Sequence, residues 1–569
     1  MDQRKRKGIP IGHEDFKRII NEDCYFVDKT LLIEELLESK AQTTLLTRPR
    51  RFGKTLNLSM LRRFFEDERT QRGERIDNSG LFNGLAISRC GEDVLRHQGQ
   101  YPVISLSLKS AKQPNYDMAH GCLIDAVIKE FQRHAYVLEM EMPQRSRESL
   151  ERILLGKGKP EEYATALAFL SECLAKYHGK NVIILIDEYD VPLENAYFED
   201  FYDQMIKFVR SLLESALKTN PYLEWGIITG CLWISRESIF TGLNNLEIHS
   251  VISAYYSDKF GFTEEEAKEL LAYYGLSAKY GELKDWYDGY WFGKAEIYNP
   301  WSILNYVKQA IADAEAFPRL YWSNTSSNSI VREMVENADA ETRAELEILI
   351  DGGVIEKPVH EEITYGDIHT AKDNLWNFLF FTGYLKAGKQ RQEGEEIYLQ
   401  LSIPNREIKS VYRNSIMNWF DHKIQTLDRS LLIKALEEGD CRSAEAFLSK
   451  QLMDTISCFD YAENYYHGFL AGLLKNTGDY QILSNRESGT GRPDLLLKTR
   501  YIRNGKVMIL ELKVADRFQN MERCCQQVLE QIEERKYEAA VREEGYEDIR
   551  KYGICFFKKE CLMMEQRER

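Results

Sequence analysis

The sequence predicts a multidomain α/β protein that is built on a parallel sheet and carries a second α/β domain at its carboxyl end. Its 569 residues correspond to about three to four domains of ordinary size. Hydrophobic residues make up 43% of the chain and aromatic residues 12%, which is enough apolar material for sizeable cores. From about residue 43 to 260, short apolar segments alternate with longer helical stretches, the pattern of a parallel sheet covered on both faces.

Charge and cysteine usage restrict the environment and the partners. The 75 Lys and Arg against 90 Asp and Glu leave a net charge of −15, so any contact with nucleic acid must use local basic patches. The 11 cysteines are scattered without a CxxC pair, a pattern typical of reduced thiols in a cytosol. No apolar run follows the basic residues 4–7, and none reaches the length of a membrane span. We therefore expect a cytoplasmic protein without a membrane partner.

Five apolar segments of the first half are predicted to be the strands of the parallel sheet. Most of them read as continuous apolar runs, as strands buried on both faces should. The long interval between the second and third strands predicts a mostly helical insertion over 111–178. The predicted strands are Thr43–Thr47, Pro102–Leu108, Asn181–Asp187, Glu224–Gly230 and Glu247–Ser253.

A phosphate-binding loop is predicted directly after the first strand. Gly53-Lys54-Thr55 opens a helix there, so that backbone N–H groups can meet phosphate oxygens, Lys54 can reach the β- and γ-phosphates and the Thr55 hydroxyl can bind Mg²⁺. Arg48 stands where the first glycine of such a loop is usual. The alternative is a helix N-terminus with a solvent-facing lysine. Further candidate nucleotide contacts in the loop are Arg50, Arg51 and Phe52.

The third and fourth predicted strands end in polar groups suited to ATP chemistry. Asp187 would lie beside Thr55 and hold Mg²⁺, and Glu188 would polarise the attacking water. The alternative is a strand that ends in a polar turn. Thr229 is a candidate sensor of the γ-phosphate, and Arg236 is a candidate arginine finger, for which a surface salt bridge is the alternative.

The segments RPRRFGKT, LIDEYD, ITGCLWISRESIFTGLNNL, WYDGYWFG and YNPWSIL resemble the AAA-ATPase-like family of bacterial and archaeal proteins. The resemblance covers roughly residues 8 to 300. It implies an ASCE-type P-loop ATPase core that uses ATP and Mg²⁺, placed here in a domain over 1–260, and it implies no substrate. We interpret the aromatic-rich stretch 285–301 as core packing and turns.

The middle of the chain is predicted to contain two smaller regions. Thr263 and Glu266 form a capping box, which begins a helical, lid-like region over 261–345. An apolar helix within 374–388, ending near Gly383, precedes a strand at 397–405, which suggests a winged-helix-like region over 346–430. Such regions contact DNA in some proteins and serve as packing or oligomer contacts in others.

A second chemical site is predicted in the domain over 431–569. Asp494 begins one strand, and Glu511 and Lys513 lie two apart in the next, so both face the same side. Pairing across the hairpin brings that side to Asp494. Two carboxylates can hold Mg²⁺ or Mn²⁺, while the lysine orients or activates a water. The alternative is an exposed charged strand.

Pro493-Asp494 and Glu511-Leu512-Lys513 resemble the two halves of the PD-(D/E)XK nuclease signature, over about residues 455–560. This resemblance implies a C-terminal α/β restriction-endonuclease-like domain. It makes Glu463 a further metal-ligand candidate, and Glu487 could face the same metal. Gln531 and Tyr537 resemble an element that orients DNA in related exonucleases, although their spacing is longer. His467 fits a core or surface histidine, and Cys524 and Cys525 fit buried thiols.

Together these features predict an ATPase coupled to a metal-dependent nuclease that acts on nucleic acid, with DNA favoured, in DNA processing or defence against foreign DNA. One alternative is an ATP-dependent switch or scaffold whose nuclease-like domain binds nucleic acid or protein without cleaving it. Another, a small-molecule phosphotransferase, leaves the C-terminal site unexplained. Because ASCE ATPases often form rings, we expect a homo-oligomer.

Overall fold

The computed structural model describes residues 6–234, 245–322, 329–361, 372–426, 428–453, 463–475, 480–484 and 493–566. The chain divides into two compact units, each described here by itself. The first comprises Met1–Ile330 with Val354–Val411, and the second comprises Val331–Gly353 with Tyr412–Arg569. This division runs through the predicted 346–430 region, and the domain boundaries predicted from the sequence stay predictions.

The helices of the first part of the chain are α1 (Phe16–Asn21), α2 (Leu32–Ser39), α3 (Lys54–Phe65), α4 (Glu92–Leu95), α5 (Tyr116–Arg133), α6 (Gln144–Leu154), α7 (Pro160–Ala164), α8 (Ala166–His178), α9 (Val191–Phe198), α10 (Tyr202–Leu217), α11 (Glu264–Tyr274), α12 (Tyr280–Tyr287) and α13 (Pro300–Ala312). Those of the remainder are α14 (Ser329–Asn337), α15 (Ala340–Ile350), α16 (Lys372–Phe381), α17 (Arg406–Thr426), α18 (Ser430–Glu438), α19 (Cys441–Met453), α20 (Glu463–Leu474), α21 (Met521–Glu534) and α22 (Glu538–Glu543).

The strands are β1 (Thr43–Thr47), β2 (Val103–Ser107), β3 (Val182–Asp187), β4 (Leu223–Gly230), β5 (Leu246–His249), β6 (Phe262–Thr263), β7 (Tyr290–Phe292), β8 (Ala295–Tyr298), β9 (Ile355–Pro358), β10 (Lys386–Glu393), β11 (Glu396–Ser402), β12 (Tyr480–Ser484), β13 (Leu495–Thr499), β14 (Lys506–Val514), β15 (Asp548–Phe557) and β16 (Glu560–Gln566).

The predicted parallel sheet is confirmed, with the strand order β2-β3-β4-β1-β5 and parallel pairing throughout. Every residue of β1 and β3 is buried, as expected of parallel strands covered on both faces. Helices α5 to α8 fill the predicted helical interval between β2 and β3. Because the strands are parallel, the carboxyl ends of β1, β3 and β4 lie at the same edge of the sheet. The phosphate-loop residues and the candidate carboxylates are therefore neighbours.

The fifth strand is shorter than predicted. It ends at His249 instead of Ser253, because the chain turns where the N–H of Ser253 donates to the carbonyl of Ser250 at 3.1 Å. This turn directs the following segment back towards the loop after β1.

The capping box at the start of α11 is confirmed. The Glu266 N–H donates to Oγ1 of Thr263 at 3.3 Å, and the Thr263 N–H donates to Oε2 of Glu266 at 2.8 Å. The aromatic-rich stretch that follows is largely core, as interpreted, since Tyr287, Tyr290 and Tyr298 are buried. Strands β6, β8 and β7 form a small antiparallel sheet in this region.

In the middle region the apolar helix α16 ends at Phe381 and is followed by the antiparallel strands β10 and β11, with β9 on the far side of β11. The strand predicted at 397–405 ends at Ser402. Pro404 cannot donate to a ladder, and the side chain of Asn405 instead accepts from the N–H of Ile408 at 3.0 Å at the start of α17.

The second unit contains a five-stranded sheet in the order β12-β13-β14-β15-β16, antiparallel except for the parallel pair β14 and β15. Side chains alternate across β14. Met508, Leu510 and Leu512 pack in the core that includes residues of α18 to α20, whereas Val507 and Ile509 pack beneath α21 and α22. Glu511 and Lys513 continue this second series, so they lie on the face that α21 covers.

Among the residues that the structure describes, no helix combines the length and the apolar content that crossing a bilayer requires.

Candidate nucleotide and metal sites

Arg48, which replaces the usual first glycine of the phosphate loop, directs its side chain into the protein interior. Its guanidinium donates from Nη1 to the carbonyls of Thr47 at 2.8 Å and His249 at 2.9 Å, and from Nη2 to the carbonyl of Tyr256 at 3.2 Å. It also lies 5.2 Å from the ring centroid of Phe260. Burial lowers the pKa of Arg48 to about 9. The side chain therefore joins the start of the loop to the segment 249–260.

Lys54 begins α3 and is buried against the loop. Its Nζ donates to the carbonyls of Arg48 at 2.7 Å and Pro49 at 2.9 Å. Gly53, directly before it, has φ +86° and nothing within 4 Å of the position that a Cβ would take. A backbone of this shape at a helix N-terminus exposes N–H groups to an anion.

Asp187 accepts hydrogen bonds from two threonines on neighbouring elements. Oγ1 of Thr55 donates to Oδ2 at 2.6 Å, and Oγ1 of Thr229 donates to Oδ1 at 2.5 Å. Because β4 lies between β1 and β3, Thr229 reaches Asp187 from the adjacent strand. The three side chains that the sequence placed at one edge of the sheet are thus in direct contact. Hydroxyl and carboxylate oxygens are the ligands that Mg²⁺ prefers.

Glu188 follows the last residue of β3 and has φ +52°, a sparsely populated conformation for a residue with a side chain. Burial raises the pKa of its carboxyl, and the neighbouring Asp187 raises it further. A carboxylate with a raised pKa at the edge of a phosphate loop is suited to accept a proton from water.

The other candidate loop residues have separate contacts. Arg50 forms an ion pair with Glu194 of α9, and the guanidinium carbon of Arg51 lies 4.5 Å from the ring centroid of Trp301. Phe52 is buried against Tyr290 and Phe292. Arg236 lies outside the described residues.

A cavity of about 380 Å³ opens beside the phosphate loop. The loop residues Arg50–Thr55 and Glu188 form one wall. The other wall was not predicted from the sequence. It includes segments that precede and follow the parallel sheet in the chain: Pro10–Glu14, Tyr25–Val27, Pro300, Trp301 and Asn305. Trp301 lies in the stretch 285–301, which was interpreted as core packing. The sequence feature that could have indicated its place in the cavity is an aromatic residue directly after the proline that begins a helix. A cavity of this size with apolar and cationic walls suits a nucleotide.

The second site lies where β13 begins and β14 ends. The N–H of Asp494 donates to Oε2 of Glu511 at 3.0 Å, and the N–H of Leu512 donates to Oδ2 of Asp494 at 2.8 Å. Burial raises the pKa of Asp494. Burial, together with the nearby charge of Asp494, raises the pKa of Glu511 to about 7. Lys513 lies on the same face of β14, two residues beyond Glu511.

Helix α20 adds two polar side chains on the side of Asp494. His467 donates from Nε2 to the carbonyl of Asp494 at 3.0 Å, so this histidine positions the backbone of a candidate metal ligand. Glu463 lies one turn earlier, exposed, and its charge contributes to the raised pKa of Glu511. Glu487 lies outside the described residues.

Helix α21 and the turn after it bring the two predicted substrate-orienting residues to Glu511. Gln531 donates from Nε2 to Oε1 of Glu511, and the hydroxyl of Tyr537 lies 3.5 Å from the same oxygen. Gln531 is exposed, whereas Tyr537 is buried. Their contact with a candidate metal ligand was not predicted from the sequence.

Within the described parts of the chain, no group of three or more His, Cys, Asp or Glu side chains is arranged to hold a metal ion. Cys525 is buried and Cys524 is partly buried, and both are free thiols. The oxygen-bearing side chains that the structure brings together at these sites are Thr55 with Asp187, joined by a hydrogen bond, and Asp494 with Glu511, where the N–H of Asp494 donates to Glu511.

Comparison with known proteins matches two parts of the chain to known domain types. Residues 10–240 match the AAA-ATPase-like family model, described as a predicted AAA-ATPase, and residues 461–566 match the model of the PD-(D/E)XK nuclease superfamily. An uncharacterised protein from the vnfD 5′ region of Azotobacter chroococcum mcd 1 is 26% identical over 415 residues, which cover 72% of this chain and 70% of that protein. The chain therefore combines an AAA-ATPase-like domain with a C-terminal domain of the PD-(D/E)XK nuclease superfamily.

Proposed function

We propose that the protein binds and hydrolyses ATP at the cavity beside Lys54 and uses a metal-dependent nuclease site at Asp494, Glu511 and Lys513 to cleave nucleic acid, with DNA favoured. The observation that carries the ATP part is the contact of Thr55 with Asp187 at 2.6 Å, beside a buried Lys54 and a cavity of about 380 Å³. The family matches support both halves.

At the first site, Lys54 holds the β- and γ-phosphates of ATP, and the N–H groups at the start of α3 bind phosphate oxygens. Thr55 and Asp187 hold Mg²⁺, which offsets the charge of the phosphates. Glu188 accepts a proton from the attacking water, and Thr229 holds Asp187 in place through its 2.5 Å hydrogen bond. Trp301, Tyr25 and Phe26 provide aromatic surface for the base. Arg236 is proposed as the finger that stabilises the transition state, either in the same subunit or across a homo-oligomer interface.

At the second site, Asp494 and Glu511 hold Mg²⁺ or Mn²⁺, with Glu463 and Glu487 as further ligands. A metal ion bound there would stabilise charge on the scissile phosphodiester. Lys513 orients the attacking water, and His467 fixes the backbone of Asp494. Gln531 and Tyr537 hold Glu511 in position through its Oε1, and the exposed Gln531 is also within reach of a bound strand.

The experiment incubates purified wild type and Asp494→Ala with single-stranded DNA, duplex DNA and RNA, in Mg²⁺ or Mn²⁺, with and without ATP. We expect wild type to cleave at least one of the three and Asp494→Ala to cleave none. A dependence on ATP would support coupling and a role in DNA processing or in defence against foreign DNA. Cleavage that Asp494→Ala retains would refute the assignment of the site.

One observation favours a second function, an ATP-dependent switch or scaffold whose C-terminal domain binds without cleaving. Asp494 and Glu511 already accept hydrogen bonds from Leu512, Asp494 and Gln531, so the site is satisfied by the protein's own donors. Intact ATP hydrolysis without cleavage of any of the three nucleic acids would favour this function.

A further inference from the structure

The segment between β14 and α21 presents an aromatic side chain to solvent close to Lys513. Phe518 is 61% exposed and lies five residues beyond Lys513 in the sequence. A single exposed apolar side chain is ordinary on a protein surface. Phe518 differs from such a residue because its segment is ordered and a second aromatic ring and cationic side chains lie nearby.

The backbone holds Phe518 in a defined place. The N–H of Ala515 donates to the carbonyl of Phe556 at 2.9 Å, which fixes the segment to β15. The side chain of Asn520 donates to Asp516 at 2.6 Å, and its N–H donates to the carbonyl of Arg517 at 3.0 Å. The ring of Phe518 meets that of Phe557 edge to face, with centroids 6.4 Å apart. One face of an ordered aromatic pair is therefore available to a ligand.

Two exposed cationic side chains lie close to this aromatic pair in space or in sequence. Nζ of Lys558 lies 5.7 Å from the ring centroid of Phe557, and the exposed Arg517 directly precedes Phe518. Residues 513–520 contain two cationic side chains, Lys513 and Arg517, and one carboxylate, Asp516. On a chain whose net charge is −15, this is the kind of local basic patch that contact with phosphate requires.

The patch lies on the same face and at the same end of the sheet as the nuclease site. Lys513 pairs with Cys555 in the register of β14 and β15, and Phe557 lies two residues further along β15. Strand spacing therefore puts the Cα atoms of Lys513 and Phe557 about 8 Å apart.

We propose that Phe518, with Phe557 behind it and Arg517 and Lys558 beside it, is a stacking platform for an unpaired base of single-stranded nucleic acid, next to the phosphodiester at Asp494, Glu511 and Lys513. Aromatic side chains stack on bases whose faces are free, and in a duplex those faces are covered by neighbouring bases. The inference rests on the proposed nuclease function and specifies its substrate class as single-stranded or locally unpaired.

The same sheet provides a matched control. Tyr501 is 78% exposed and lies between Arg500 and Arg503, in the turn that joins β13 to β14 at the end opposite to Lys513. It shares the aromatic and cationic chemistry of Phe518 but not its position. A general affinity of basic and aromatic surface for nucleic acid would involve both residues equally.

The test measures binding of the full-length protein to fluorescently labelled single-stranded DNA, single-stranded RNA and duplex DNA by anisotropy, in EDTA and at fixed salt. We expect Phe518→Ala to weaken single-strand affinity about 5- to 100-fold, Phe518→Trp to restore it, and Tyr501→Ala to leave it within about twofold. Duplex affinity should change little in every variant. Because Phe518 is exposed, its substitution should leave the thermal melting curve unchanged.

An unchanged affinity in Phe518→Ala, an equal loss in Tyr501→Ala, or a wild type that binds no single strand would overturn the platform. Binding in EDTA does not depend on cleavage, so the two proposals fail separately. A wild type that shows the expected binding pattern but cleaves nothing when metal is added would retain the platform and refute the nuclease function.

Discussion

The hydroxyl of Thr55 donates a hydrogen bond of 2.6 Å to Oδ2 of Asp187, across 132 positions of sequence. It joins the first turn of α3 to the carboxyl end of β3 although β4 lies between β1 and β3. The second oxygen of Asp187 accepts from Thr229 on β4. The carboxylate of Asp187 on β3 thus links the start of α3 to β4. Substitution of Thr55 or Thr229 therefore tests the site.

Thr55→Ala should reduce Mg²⁺-dependent ATP hydrolysis by about 10-fold or more, because it removes a hydroxyl that contacts a charged partner and is proposed to bind the metal. Thr55→Ser keeps the hydroxyl and should retain most of the activity. Phosphate release at several Mg²⁺ concentrations measures both variants. Equal losses in the two would show that the methyl group, and not the hydroxyl, matters.

Glu188→Gln should lower the turnover number for ATP about 10²- to 10⁴-fold, as expected for loss of a general base, while the affinity for ATP stays near that of wild type. Glutamine is nearly isosteric but cannot accept the proton. Glu199→Gln, at an exposed position just after α9, is the matched control and should leave the turnover number unchanged. Normal turnover in Glu188→Gln would remove Glu188 from the mechanism.

Trp301→Ala should weaken ATP binding several-fold, because the indole lines the cavity and lies against Arg51. Trp301→Phe should recover part of the affinity. Trp291→Ala removes a more exposed tryptophan that is not among the cavity residues and serves as the control. Titration with a fluorescent ATP analogue gives the three affinities, and no difference between Trp301→Ala and Trp291→Ala would contradict the role of this wall.

The free energy of unfolding of the first unit should decrease as pH rises, because the buried carboxyl of Glu407 loses its proton. This carboxylate is buried and accepts hydrogen bonds from the N–H groups of Tyr321 at 2.6 Å and Trp322 at 2.7 Å and from the hydroxyl of Ser302 at 2.7 Å. Burial raises its pKa from 4.5 to about 7. The folded state therefore binds the proton more tightly than the unfolded state, so the stabilising contribution is complete below about pH 4.5 and is lost as pH rises through about 7.

Glu407→Gln removes this titration, so the melting temperature of wild type relative to Glu407→Gln should decrease between pH 5 and pH 8. Glu315→Gln, at an exposed position, should melt in parallel with wild type over that range. A constant difference between wild type and Glu407→Gln would contradict the raised pKa.

The features that could be predicted from the sequence are those encoded over short stretches. Continuous apolar runs predicted β1 to β4, and Thr263 with Glu266 predicted the start of α11. The alternation in β14 placed Glu511 and Lys513 on one face, and the hairpin brought Glu511 to Asp494. Each of these depends on local geometry or on the rule that parallel strands end at one edge.

The features that could not be predicted depend on contacts between distant segments. Tyr25 and Trp301 reach the cavity wall only through tertiary packing, and Gln531 contacts Glu511 because α21 returns across the sheet. The burial of Arg48 likewise requires carbonyls near residues 249 and 256. No periodicity in the sequence predicts such contacts.

The central claim, one chain that couples ATP hydrolysis to metal-dependent cleavage, is tested most directly by comparing wild type, Lys54→Ala and Asp494→Ala in the same reaction, with phosphate release and cleavage of labelled single-stranded DNA followed together in Mg²⁺ and ATP. The account predicts that Lys54→Ala loses hydrolysis and changes cleavage, whereas Asp494→Ala loses cleavage and still hydrolyses ATP. Wild-type levels of cleavage in Lys54→Ala would contradict coupling, and cleavage by Asp494→Ala would contradict the nuclease site itself.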